Sequence, residues 1–593
     1  MSTKNIIKRI IDEFNFNTLK FEPFIRYIRF PRYKNFFPNT KIDFEFPITV
    51  LVGENGCNKS SVIRALYGAP TQKSLGEYWF ESNVDTIKEE EKSPSCFIYG
   101  YLYPIENKVV EVLKTRVHKE GNPDYWEPSR PIAQYGMTKI DYKKDLTNEE
   151  KRFRSMTRWN PVSKNVIYLD FRHEALSAYD KFFYCTDLNT VSDAYKSKQD
   201  FIRRYSKNLR KAIDENLNDY NIYRTKKIIE NKVLEKEAVK FIADILDKKY
   251  SSIRIVTHTF YTSEPAKTVL LTSENNTTYT EAFAGSGEFS IVCLVDAILG
   301  ASPNSLILLD EPEVSIHPRA QRKLMTFLFQ QILCRKFQII IATHSPYITE
   351  NLPVGAVKLL FLDKRNSLIC VKNNVYPAEV FIEIGASNSQ LTILVEDKCA
   401  KLVLEACLRN TGKEKYFKVR SAERFGAEGI LCRDAVTNFI EGVEDVVYCL
   451  DGDQKTDSTE ISDNFKKIAS RATLTQSNAS DKEKNEKRRG FLEYLEKKIF
   501  YLPDKYGPEE IVYDLLPEDH KKGMNPQNKN DFKDCIKDAC NNHYGSDGSN
   551  VIYIYMEYQA AYLLKGKYQT KFDKDLRKLV TDLEEAFDEA FKK

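Results

Sequence analysis

Leu306-Ile-Leu-Leu-Asp310-Glu311-Pro-Glu313 is an apolar run that ends in two adjacent carboxylates, and Ile339-Ile-Ile-Ala-Thr-His344-Ser345 is a second that ends in a histidine. Runs of this kind read as buried parallel strands that deliver charged groups to one rim of a sheet. With a nucleotide phosphate at that rim, Asp310 can hold a Mg²⁺ shell, Glu311 can polarise a water and His344 can sense the terminal phosphate. The cradle for such a phosphate is Gly53-Glu-Asn55-Gly56-Cys-Asn58-Lys59-Ser60-Ser61, which departs from the G-x-x-x-x-G-K-[ST] pattern only in having Asn58 for glycine. Backbone N–H groups of such a turn and of the helix that follows wrap phosphates. Lys59 would reach the β- and γ-phosphates and Ser60 would ligate Mg²⁺. Asparagine is among the few residues besides glycine that tolerate positive φ, so the turn is expected to survive the exchange. Alone, the segment also reads as an ordinary Gly/Asn turn. The apolar run before it, the amphipathic start after it and the distant carboxylate pair favour a bound nucleotide.

A second constellation lies further on. Leu394-Val-Glu396-Asp397 and Cys449-Leu-Asp451-Gly-Asp453-Gln454 each end an apolar run in acids. Together they would put three carboxylates on a common rim, which is unfavourable unless cations neutralise them, and Mg²⁺ prefers oxygen ligands. Two metals there could serve the attacking and leaving oxygens of a phosphodiester. Strand-end acids before a glycine are also common in plain α/β turns.

These groups need elements to position them. Residues about 24 to 53 read as strands, the last buried, and Ser60–Leu66 as the start of a helix. Residues about 70 to 185 are turn-rich with little periodicity. Between about 190 and 250, Ile229, Val233, Leu234 and Val239 recur at helical spacing among many charges, which predicts a helical insertion. No heptad is sustained there, so a long coiled coil is excluded. Helices are expected at Glu288–Leu299 and near Arg319–Leu333. From about 388 the pattern is strand Leu391–Val395, helix Lys398–Leu408, strand Phe417–Ser421, helix, strand Asp445–Leu450, the signature of a small parallel sheet. A charged amphipathic helix, Lys574–Lys592, comes last.

The chain has 593 residues, enough for more than one core, and a net charge of +4, so any basic surface must be local. Its twelve cysteines include no C-x-x-C pair, which suits free thiols in a reducing cytoplasm. The first residues lack the apolar centre of a signal peptide, and no run approaches the ~18 apolar residues that span a bilayer.

The residues around the P-loop resemble the ATP-binding-cassette class of ATPases, over about Phe24–Gly68 and Glu281–Leu362. The marks are Asp310-Glu311-Pro312 as Walker B, Ser315-Ile-His-Pro318 as a D-loop and His344 as the switch histidine. The resemblance implies that Glu311 is the general base. It also implies a signature segment, whose place is taken by Ala284-Gly-Ser286-Gly287-Glu288, with Gly285 where serine is usual. Ser286, Gly287 and Glu288 would cap the nucleotide of a second head, which implies a homodimer or a higher assembly. A plain helix N-cap explains the same residues.

The acid pattern of the second half looks like a Toprim domain, and a cassette ATPase followed by Toprim is the layout of the OLD (overcoming lysogenization defect) family of nucleases. The expected fold is therefore α/β: residues 1–387 an ABC-type P-loop ATPase domain with the helical insertion, and residues 388–593 a smaller Toprim-like parallel-sheet domain. By likeness Glu396, Asp451 and Asp453 would be metal ligands for Mg²⁺ or Mn²⁺. The acid usual four positions past Glu396 is Ala400, with Asp397 as the compensating candidate. The later acid is expected at Glu510 rather than Glu509, and a late lysine at Lys529 or Lys533.

The resemblance implies an ATP-regulated DNA endonuclease in bacterial anti-phage defence, sometimes beside a partner defence protein or a retron reverse transcriptase and its RNA/DNA product. The rival is an ATPase that senses DNA or a partner, with a degenerate Toprim domain and a separate nuclease. Charge runs at Arg203–Lys211, Lys226–Lys248 and Lys482–Arg489 are candidates for tracking a phosphate backbone or for solvated helix faces.

Overall fold

The computed structural model describes the chain except for residues 1–2, 17, 90–92, 142, 144, 175, 188–194, 223, 364, 376–389, 423–425, 456–465, 471–473, 475–479, 517, 519, 522, 545–570 and 592–593. Two compact units emerge, Met1–Val380 and Phe381–Lys593. The expected boundary at 387/388, the opening of the 190–250 insertion and the end of the last helix at Lys592 lie outside the described residues.

The first unit is built on a six-stranded sheet in the order Leu368–Lys372, Val357–Asp363, Ile48–Val52, Gln338–Ala342, Leu306–Asp310, Val166–Asp170. All neighbours are parallel except the Leu368–Lys372 edge. Ile48–Val52, Leu306–Asp310 and Gln338–Ala342 are buried at every position, as central strands covered on both faces must be. A five-stranded antiparallel sheet joins Ile25–Arg32 to Cys96–Tyr103 and Lys108–Lys119, the latter two in the stretch whose sequence shows little periodicity. Cys96–Tyr103 is buried at seven of its eight positions, which leaves no polar alternation to read.

The insertion is not purely helical. Helices Lys198–Asp214 and Lys236–Leu246 are present, but Ile228–Val233 is a strand at the edge of a four-stranded antiparallel sheet with Tyr250–His258, Ala266–Ser273 and Thr278–Thr280. Ile229 and Val233 are 47% and 50% exposed, so they belong to no apolar helical face. Pairing with Tyr250–His258 overrides the local spacing.

The second unit carries a four-stranded, wholly parallel sheet in the order Phe417–Ser421, Leu391–Val395, Val446–Leu450, Ile499–Tyr501. Helix Lys398–Asn410 follows the first strand, and helix Asp481–Lys498 packs Phe491 and Leu495 against Tyr448 and Leu450. Burying each such side chain contributes about 1.5–3 kcal/mol. The last described helix is Asp573–Phe591.

Candidate functional site

The Ile48–Val52 strand feeds straight into the phosphate-loop turn. Gly53 has to be glycine: a Cβ there would stand 2.1 Å from the Leu360 carbonyl oxygen. Glu54, Asn55 and Gly56 are exposed at the tip. Asn58 adopts φ 63° and ψ 22° as it caps helix Lys59–Tyr67, the left-handed conformation that glycine usually supplies. Its side chain is held from both sides, with Nδ2 donating to Asn35 Oδ1 at 2.7 Å and Oδ1 accepting from Ser61 Oγ at 3.3 Å. Lys59 is buried, and its Nζ donates to the carbonyls of Gly53 and Glu54 at 2.9 and 3.0 Å. Burial lowers its pKa.

Asp310 ends its strand almost fully buried, and burial pushes its carboxyl above the usual range while Ser60 and Arg172 pull it back. Its Oδ1 is buried with no hydrogen-bond partner. A buried, unsatisfied carboxylate oxygen beside Ser60 suits a magnesium ion, so the residues present fit the expected cation. Glu311 follows at φ 54°, and its Oε1 lies 4.0 Å from His344 Nε2. Burial, then Lys59, lowers the His344 pKa, which favours a neutral imidazole. Glu313 ties the two loops together: its Oε1 accepts from Thr343 Oγ1 at 2.6 Å and from the His344 N–H at 2.7 Å.

Sequence reasoning missed one member of this rim. The edge strand Val166–Asp170 pairs in register with Leu306–Asp310, so Asp170 lies beside Asp310. Arg172 bridges them, with Nη2 at 2.7 Å from Asp170 Oδ2 and 3.1 Å from Asp310 Oδ2. Val166-Ile-Tyr-Leu-Asp170 carries the same apolar-then-acid signal as the Asp310 strand.

At the signature position, Ser286 opens helix Ser286–Gly300 and is exposed, Gly287 stands against the Ser315 carbonyl of the D-loop-like segment, and Glu288 turns inward. Glu288 accepts from Tyr250 and from Tyr279 OH and pairs with Lys248 at 3.0 Å. It therefore anchors the helix to the antiparallel sheet. Phe283, just before it, is 88% exposed.

In the second unit, Glu396, Asp451 and Asp453 each offer an oxygen within 4.8 Å of the others. Glu396 leaves the Leu391–Val395 strand and accepts from the Asp451 N–H at 2.9 Å. Asp451 is fully buried, and its Oδ1 has no hydrogen-bond partner. Burial and then Glu396 push its carboxyl up to about 8, while Lys529 works the other way. Asp453 is exposed. Gly452 between them allows a close approach, since a Cβ there would stand 2.0 Å from the Asp504 carbonyl oxygen. This oxygen-only set with an orphaned buried oxygen fits a divalent cation of the magnesium or manganese kind.

The other candidates sort by their partners. Asp397 caps helix Lys398–Asn410, with Oδ1 accepting from the Ala400 N–H at 2.9 Å, and does not belong to the three-carboxylate group. Ala400 is buried on that helix. Glu510 is engaged away from the cluster: Oε2 accepts from the N–H groups of Lys505 and Tyr506, and Oε1 from Lys571 at 2.8 Å. Both glutamates are buried, but it is Glu509 that feels Asp397 and Lys529, and it pairs with Lys533 at 3.3 Å. Lys529 Nζ donates to Asp451 Oδ2 at 2.7 Å, which separates it from Lys533. Asp504, unnoticed in the sequence, follows the short Ile499–Tyr501 strand and accepts from the Gly452 N–H at 3.0 and 2.9 Å. Burial raises its carboxyl to about 6.

The family described as "AAA domain, putative AbiEii toxin, Type IV TA system" matches residues 48–350, just over half of the 593. The chain belongs to this family. Its first unit is thus a P-loop ATPase domain, and ATP with Mg²⁺ is the cofactor that such a fold implies. A search of curated proteins returned no match. Among solved structures, the SMC head domain from Thermotoga maritima aligns at 12% identity over 59% of this chain and 99% of that one, with a TM-score of 0.30. An Smc head bound to the C-terminal domain of ScpA, derived from Pyrococcus furiosus, aligns at 14% identity over 59% and 96%, with a TM-score of 0.32. Both are weak overall likenesses. No helix among the described residues is long and apolar enough to cross a membrane.

Proposed function

We propose that this AAA-family chain is an ATP-regulated, metal-dependent DNA endonuclease of the OLD kind, with a Toprim-like second unit, acting in anti-phage defence. The observation that carries the reading is the group of Glu396, Asp451 and Asp453, within 4.8 Å of one another around an unsatisfied buried oxygen. A divalent cation held there would activate a water and stabilise charge on a phosphodiester. The chain's own residues supply the rest. Asp451 and Glu396 present oxygens from two neighbouring parallel strands, so their spacing is fixed by the sheet. Lys529 brings a positive charge to the same rim, where burial opposes its protonation and Asp451 restores it, raising its pKa overall. Such a cation would offset charge developing on the scissile phosphate.

ATP control follows from the first unit. Asp310, Glu311 and His344 line one rim, and Ser286 is exposed for the nucleotide of a second copy, so a homodimer closing on ATP would gate the nuclease. The retron link belongs to the same proposal and rests on the resemblance alone. A second reading, a sensor ATPase with a degenerate second unit, is favoured by two observations: Ala400 offers no carboxylate, and Asp397 is spent on a helix cap.

Supercoiled plasmid incubated with the full chain and Mg²⁺ or Mn²⁺ distinguishes the two. Nicking that Glu396→Ala and Asp451→Ala abolish is the expected result. Nicking that survives both changes, or none without a partner protein, sinks the nuclease reading.

A further inference from the structure

Burial and pairing separate the three basic runs of the sequence. In Lys226–Lys248 the cations alternate with Glu230, Glu235, Glu237, Asp244 and Asp247, and Lys232 pairs with Glu230 and Asp296 at 3.0 Å each. Helix Asp481–Lys498 mixes Glu483, Glu486 and Glu493 among its lysines and arginines, and Arg489 pairs with Glu493 at 3.2 Å. Both are mixed, solvated faces.

Helix Lys198–Asp214 differs. Its inner face buries Phe201, Leu209 and Ala212 against Phe182, Val256 and Phe260. Its outer face exposes Arg203, Arg204, Lys207, Arg210 and Lys211, with no acid among them. The acids lie at the ends: Asp200 in the first turn, and Asp214, which takes Arg210 at 2.7 Å, followed by Glu215. Among the described residues, no acidic side chain pairs with Arg203, Lys207 or Lys211. The Asn221–Lys226 hairpin is tied to this helix, since Tyr220 OH donates to Asn208 Oδ1 at 3.1 Å, and it adds exposed Arg224 and Lys226 beyond the exposed Asp219.

A helix face that keeps its like charges together forgoes i,i+4 pairing and is weakened by self-repulsion. The arrangement is explained when a polyanion supplies the missing charge. We infer that the Arg203–Lys211 face binds the phosphate backbone of duplex nucleic acid. Arg203, Lys207 and Lys211 stand one helical turn apart, so the stripe is about 12 Å long. A duplex carries one phosphate per ~3.4 Å on each strand, so the stripe faces about three or four phosphates. The contacts go to phosphate and carry no base preference.

The inference deepens the proposed nuclease reading, because it supplies that activity's substrate-holding surface. Binding of a short fluorescent duplex by the full chain, in EDTA so that nothing is cut, tests it across a range of salt. The triple variant Arg203→Glu, Lys207→Glu, Lys211→Glu is expected to bind at least about tenfold more weakly, with the salt slope reduced by roughly one for each phosphate no longer neutralised. The matching reversal at Lys482, Lys484 and Lys487 should change neither. Should the triple variant misfold by circular dichroism, the glutamine triple takes its place and is expected to move in the same direction. Affinity within twofold of wild type with an unchanged slope, or no duplex binding by the wild-type chain, overturns the inference. Loss of binding in a chain that never cuts DNA would leave this surface standing while the nuclease reading fails. Cutting that ignores the triple variant would do the reverse.

Discussion

Lys529 Nζ lies 2.7 Å from Asp451 Oδ2, and that contact offsets part of the charge of three clustered carboxylates in the second unit. Asp451 is buried and Glu396 stands beside it, so the sheet rim holds more negative charge than the protein interior accepts. One ammonium satisfies one oxygen and leaves Asp451 Oδ1 without a partner. The first unit repeats this solution. Asp170 and Asp310 share a register, Arg172 joins them, and Asp310 Oδ1 is left unpartnered.

Arg172 should therefore be a stabilising cation that the nucleotide-bound metal can replace. Its side chain is 41% exposed, so Arg172→Ala is expected to cost only about 1–2 kcal/mol, less than the loss of a buried partner. Thermal denaturation should show the loss without nucleotide and its recovery with Mg²⁺ and ATP. A variant as stable as wild type without nucleotide would contradict this role.

Asn58 stands in for glycine by conformation, at φ 63°. Asn58→Gly is expected to keep ATP binding, with stability changed by less than about 1 kcal/mol. Asn58→Val would cost about 1–2 kcal/mol at this backbone position and should weaken binding of a fluorescent ATP analogue. Equal binding by both variants would mean that the turn does not depend on this conformation.

Glu281 gives a pH signature. It is buried on the strand exit before the signature helix, accepting from Thr268 Oγ1 at 3.1 Å and from the Val269 N–H at 2.8 Å. Burial pushes its carboxyl up to about 7. The folded state thus keeps a proton that the unfolded chain releases above about 4.3. Stability from this group is greatest below that value, falls as pH rises to about 7, and then levels. Glu281→Gln should gain on wild type across that window, by up to about 3 kcal/mol at pH 8. Melting curves at both ends of the window check it, and a difference independent of pH would refute the assignment.

What the sequence made legible was the acids whose apolar run had a second motif beside it. Asp310, Glu396 and Asp451 stand at the ends of short, mostly apolar strands, each with a neighbouring motif to give it meaning. Asp170 carries the same signal on Val166–Asp170, but it lies in a turn-rich stretch with no second motif to give it meaning. Asp504 follows a strand of three residues, too short to leave a pattern. Glu509 and Glu510 differ by one step of a helix, about 100° of rotation, and only packing decides which faces Lys529. The Ile229 and Val233 spacing misled because two residues four apart can sit on either a helix or a strand, and the partner strand settled it.

Glu396, Asp451 and Asp453 are proposed to hold a divalent cation. Manganese binding followed by electron paramagnetic resonance, on the full chain without nucleotide, tests it most directly. Wild type is expected to take up Mn²⁺, and Asp451→Asn to lose that site while keeping its fold. No uptake by wild type, or uptake that Asp451→Asn leaves unchanged, would contradict the account.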